Sequence, residues 1–94
     1  MKIAEKIEKS LREALQPELL EVKDESHLHA GHAGAREGGE SHFRLLIVSS
    51  RFEGLPRLAR QRAVNDILKE ELKERIHALA MRTLTPEERR KEAV

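Results

Sequence analysis

An α+β fold in the order helix, strand, strand, short helix, helix, strand, helix is predicted by three features of the sequence. Ile3, Ile7, Leu11 and Leu15 recur every four residues, the spacing of one helical face. Residues 19–24, 42–49 and 76–84 alternate apolar with polar or small residues, the period of a strand. Between the second and third of these lies a long helical pattern, so that strand–helix–strand unit should cross over right-handed with its two strands parallel. The product is a three-stranded mixed sheet with its helices on one face.

The first helix is expected over residues 2–15, with Ala14 beside its apolar stripe. Glu5 to Lys9 and Glu8 to Arg12 are favourable i,i+4 pairs on the wet face. Pro17 ends it, because the residue before a proline avoids the α region. In the first strand Leu20 and Val22 face one way, Glu21 and Lys23 the other. In the second, Phe43, Leu45 and Ile47 alternate with Arg44, Leu46 and Val48; a strand apolar on both faces toward its end suits the centre of a sheet.

Ser50-Arg51-Phe52-Glu53 has capping-box spacing before Gly54, which predicts one helical turn. Pro56 can open the next helix as its first residue, and Ala59, Ala63, Val64, Ile67, Leu68 and Leu72 carry its apolar face to about residue 74. In the third strand Ile76, Ala78 and Ala80 share one face, and His77, Leu79 and Met81 the other. Thr85-Pro86-Glu87-Glu88 combines an N-cap threonine, a proline at the first helical position and a glutamate at the capping-box position, starting a short charged helix. The whole, residues 1–94, is expected to be one domain with a glycine- and histidine-rich loop at 25–40 and a charged tail at 86–94.

That loop is the least scaffold-like part of the chain. Four of the five histidines lie between positions 27 and 42, and four of the five glycines between 31 and 39. A connection of this length in a small domain is usually functional. Net charge is +1 with neutral histidines and would reach +6 with all five protonated, so the surface field depends on pH. The charge balance is too even to argue nucleic-acid or membrane binding by itself. The chain has no cysteine, which removes any disulfide or thiolate ligand and fits a cytoplasmic setting. No apolar run approaches the roughly 18 residues of a membrane helix, and the start lacks a signal-peptide pattern.

Four segments carry a family resemblance. They are Leu20-Glu21-Val22-x-Asp24-Glu25-Ser26-x-x-His29; Gly39-Glu40-Ser41-His42-Phe43; Ile47-Val48-Ser49-x-x-Phe52-x-Gly54; and Ile76-His77-Ala78-Leu79. In order and spacing, over nearly the whole chain, they resemble the BolA family. The chain departs from the usual pattern at Arg60-Gln61-Arg62, where Arg-His-Arg is common, at Asn65, where an aromatic is common, and at Arg89, where tryptophan is frequent. The resemblance implies a class II KH-like arrangement of the predicted elements. It also implies a partner, the monothiol CGFS-type glutaredoxins, with which the family holds a shared [2Fe-2S] cluster. Some family members are described as DNA-binding transcriptional regulators.

By the same resemblance His77 matches the family's near-invariant histidine, and His29 the loop histidine of the subclass without a loop cysteine. Both are expected to ligate iron, with His32 as the alternative loop ligand. Imidazole is a good iron ligand, and two histidines can replace two thiolates on one iron of a [2Fe-2S] cluster. Without a thiol the chain cannot complete the four ligands alone; a glutaredoxin cysteine and the glutathione thiol would supply the rest. His27 and His42 read as structural or solvated, although His27-x-His29 could form a weak local metal site.

Arg51, Arg57, Arg60 and Arg62 form a basic segment opposed only by Glu53, which could face DNA phosphates or simply be a solvated face. The two phenylalanines are expected to pack, so stacking on bases has no support. No sequence signature of an activated nucleophile or of an acid–base pair appears, and an enzyme is not expected. The leading expectation is an iron–sulfur trafficking or iron-regulatory adaptor; the alternative is a DNA-binding regulator that uses residues 51–62.

Overall fold

The structure is a computed structural model and describes residues 3–25, 42–74, 76 and 78–92. Its elements follow the order α1 (Ile3–Leu15), β1 (Leu19–Asp24), β2 (His42–Val48), a 3-10 turn (Ser50–Phe52), α2 (Arg57–Ile67), α3 (Lys69–Glu74), β3 (Ala78–Leu84) and α4 (Pro86–Glu92). The sheet runs β1-β2-β3, with β1 antiparallel and β3 parallel to the central β2. The apolar character of both faces of β2 thus marks its position.

α1 forms because its four-residue apolar stripe meets the sheet. Ile3, Ile7, Leu11 and Leu15 are all buried, against Phe43, Leu45, Ile47, Phe52, Val64, Leu68 and Ile76. Leu20, Val22, Leu79 and Met81 are half-buried on the same side. Fully burying a side chain of this type is worth roughly 1.5–3 kcal/mol, so this one layer carries most of the cohesion. Of the two ion pairs expected on α1, Glu8–Arg12 forms at 3.0 Å. The helix ends at Gln16, whose φ of 44° is left-handed, and whose N–H donates to the Arg12 carbonyl at 3.1 Å. Pro17 disfavours a right-handed helical residue before it, and Gln16 takes the left-handed escape.

Four expectations are corrected. The 3-10 turn is capped by Ser49, not Ser50: the Ser49 hydroxyl accepts from the Arg51 amide and donates to the Leu15 carbonyl at 2.7 Å. Pro56 is the N-cap of α2, one residue before its first turn. The helix expected to run through to residue 74 is interrupted at Leu68 (φ −100°, ψ 15°), where the fully buried side chain is held in the core. The third strand begins at Ala78 rather than Ile76. Ile76 is buried in the core while Ala78 and Ala80 are exposed, so Ile76 does not share their face. Its amide donates to the Glu71 carbonyl at 2.9 Å, which ties it to the end of α3 and keeps it off the sheet ladder.

The capping box at the start of α4 forms as expected. Thr85 N–H donates to Glu88 Oε1 at 2.8 Å, and Glu88 N–H donates to Thr85 Oγ1 at 3.2 Å.

Candidate functional site

The histidine-bearing segments join the sheet at one end. β1 leaves the sheet at Asp24, the partner of Phe43, and the Glu25 amide donates to the His42 carbonyl at 2.8 Å. β2 and β3 are parallel, with His42 beside Ala78, so both enter from that same end. His42 is half-buried there. The predicted iron ligands His29, His32 and His77 lie outside the described residues, as does His27. Among the described residues no group of three or more His, Cys, Asp or Glu side chains could hold a metal ion. In donor chemistry the chain offers imidazoles without a thiol, which fits part of a [2Fe-2S] ligand set and not the whole of one.

The four arginines of the basic segment divide. Arg57 and Arg62 are exposed on α2. Arg57 and Gln61 line a shallow recess of about 150 Å³ against Met81 to Leu84 of β3. Arg51 is exposed but engaged: its guanidinium donates to the Ala14 carbonyl at 2.9 Å and to Gln16 Oε1 at 3.2 Å, closing off the end of α1.

Arg60 is a structural residue, buried at 7% exposure. Its Nε donates to the Leu55 carbonyl at 2.8 Å, and Nη1 donates to the Thr83 carbonyl at 3.0 Å and to Glu88 at 2.7 Å. Its guanidinium carbon lies 5.9 Å from the centre of the Phe52 ring. It is therefore withdrawn from any solvent-facing basic patch. The Arg60 guanidinium, helped by the Thr85 amide, pulls the Glu88 carboxyl from its ordinary 4.5 down to about 2. Sequence reasoning missed this role, although a signal was present: residues 60, 64 and 68 form one i, i+4, i+8 row, and Val64 and Leu68 are both fully buried.

What the described residues leave in view is a small α+β domain with His42 at one end of its sheet and two exposed arginines, Arg57 and Arg62, on α2. The family model described as BolA-like protein matches residues 11–88, and the chain belongs to the BolA family. Over 88 residues it is 48% identical to the DNA-binding transcriptional regulator BolA of Escherichia coli (strain K12), covering 94% of this chain and 80% of that one. It is 46% identical over 92 residues to SufE-like protein 1, chloroplastic/mitochondrial, of Arabidopsis thaliana, covering 94% of this chain but 24% of that longer protein. Among solved structures, BolA1 from Arabidopsis thaliana superposes with a TM-score of 0.85 at 40% identity, over 94% of this chain and 96% of that one. No helix among the described residues is long and apolar enough to cross a membrane.

Proposed function

We propose that the protein is a cytoplasmic iron–sulfur trafficking or iron-regulatory adaptor, and not an enzyme. In this reading it forms a heterocomplex with a monothiol glutaredoxin around a [2Fe-2S] cluster. His77 and one loop histidine, His29 or in its stead His32, supply imidazoles to one iron. The glutaredoxin cysteine and glutathione supply thiolates to the other. The observation that carries the reading is the shared end of the sheet: Asp24, His42 and Ala78 meet there, and they are the anchor points of both segments that bear the candidate ligands. The missing cysteine supports it too, since a chain with imidazoles and no thiol needs a partner to complete a cluster.

The test is to mix the protein with cluster-loaded CGFS glutaredoxin and to record visible absorption and circular dichroism. His77→Ala should give a labile cluster or return the glutaredoxin homodimer spectrum. His29→Ala should act in the same direction more weakly, and the His29, His32 double variant should match or exceed His77→Ala. A folded His77→Ala protein that holds the cluster with unchanged spectrum and lifetime overturns the assignment.

A second reading is favoured by the printed description of the Escherichia coli relative as a DNA-binding transcriptional regulator. Of the four arginines first considered, Arg57 and Arg62 remain open to solvent and without an ion pair among the described residues. Replacing both with alanine should weaken duplex binding at low salt and flatten its salt dependence, since phosphate contacts carry that dependence. No duplex binding by the wild-type chain at low salt removes this reading.

A further inference from the structure

The strand register leaves a second feature that neither reading uses. On the sheet face away from the core, Lys23, Arg44 and Ala80 stand side by side across the strands, and Glu21, Leu46 and Arg82 form the next row. Val48 and Leu84 close one end of this face by being buried. Between the long side chains, the short Ala80 leaves a hollow of about 220 Å³, lined by Glu21, Lys23, Arg44, Leu46, Ala80 and Arg82 among others.

Its charge pattern is unusual for a bare sheet surface. Lys23 and Arg44 are direct partners in the antiparallel ladder, and like charges placed opposite each other are destabilising. Arg44 is paired with Glu25 and Arg82 with Glu92, while Lys23 has no ion-pair partner among the described residues. The arginine side chains are 59% and 57% exposed, so both guanidinium groups are reachable from solvent and each pair is individually weak. The lining itself carries three cations and one carboxylate, Glu21; Glu25 and Glu92, held from outside the lining, balance the two arginines, so an excess of two positive charges opens only to a ligand that displaces both. A phosphate monoester carries about −1.5 to −2 at neutral pH, and guanidinium forks suit its oxygens. The floor of Leu46 and Ala80 is apolar.

We propose that this hollow binds a small phosphate monoester with a compact apolar body. The phosphate takes Arg44, Arg82 and Lys23 in place of Glu25 and Glu92, and the body lies on Leu46 and Ala80. The dianionic charge argues for phosphate over a simple carboxylate, and the volume argues for a small molecule over an extended chain.

The test is a ¹H–¹⁵N titration of the full chain with phenyl phosphate. Inorganic phosphate, phenol and a phosphoserine peptide form parallel arms. Saturable shifts are expected at residues 21–23, 44–46 and 80–82. Arg44→Gln and Arg82→Gln should each weaken binding about threefold, the loss of one exposed charged contact. Glu21→Gln should tighten it. Ala80→Leu should fill the hollow and abolish binding while leaving the rest of the spectrum in place, which separates a filled site from an unfolded protein. The proposal is overturned by an absence of saturable shifts, by shifts centred on Arg57 and Arg62, or by phenyl phosphate binding no better than inorganic phosphate. Binding by the phosphoserine peptide alone overturns it in favour of a protein partner. None of these outcomes bears on the histidines, so this test and that of the cluster fail independently.

Discussion

Arg60→Met should be among the most damaging single changes in this chain, although it keeps much of the side chain's length and apolar stem. The guanidinium gives charge-assisted bonds to two backbone carbonyls, Leu55 and Thr83, and to Glu88. Losing the donor strands those acceptors in a region where Arg60 is only 7% exposed. A hydrogen bond from a charged donor is worth about 1.5–3 kcal/mol, so two carbonyls set a loss of about 3–6 kcal/mol, and relaxation with water entry brings this to roughly 3 kcal/mol. For a domain of this size each kcal/mol moves Tm by about 4–8 °C, so Tm should fall by roughly 12–24 °C. Arg60→Lys, with its single compact head group, should recover only part of the loss. The assay is thermal unfolding followed by far-UV circular dichroism at neutral pH. A Tm for Arg60→Met within about 3 °C of wild type would refute the idea that Arg60 joins α2, β3 and α4.

Further expectations follow from the same structure. Because Glu88 titrates at about 2 when folded and near 4.5 when unfolded, its contribution is complete above 4.5 and is lost as pH falls toward 2. Glu88→Gln should flatten the acid limb of a urea-midpoint-against-pH curve, and a limb of unchanged slope would count against the Arg60–Glu88 link. Ser49→Ala leaves the Leu15 carbonyl and Arg51 amide without their buried partner and should cost about 1–3 kcal/mol in urea denaturation, with m unchanged. Gly54 has a φ of 81° and nothing within 4 Å of an added Cβ, so Gly54→Ala should cost only the backbone term, about 1 kcal/mol. A much larger loss would mean that the turn is crowded.

Much of the scaffold was legible because it rests on short-range periodicity. The α1 stripe, the alternation of the first two strands and the threonine–proline–glutamate cap are local patterns, and each reappears in the fold. Arg60 was not legible in the same way. Its role depends on Glu88, 28 positions away, and a run of arginines reads locally as a wet or phosphate-facing surface. The choice of Ser49 over Ser50 as cap turns on the Leu15 carbonyl, which only the folded chain brings near. The start of β3 shifted because Ile76 serves the core from the end of α3, a competition that alternation cannot reveal. The candidate iron ligands were read through family resemblance, since a histidine-rich loop carries no period from which ligand roles could be derived.

The two links at the ends of β2 are tied to the scaffold in different ways. The crossover from β2 to β3 carries Ser49, Phe52, Arg60, Val64 and Leu68, each buried, so its length and register are tied to the core. The link from β1 to β2 is held at its mouth by the strand ladder and by the Glu25–His42 backbone bond. The antiparallel pair therefore works as a fixed socket: the ladder and the Glu25–His42 bond set where the chain leaves the sheet and where it re-enters, so the separation of those two points belongs to the scaffold and not to the segment that joins them.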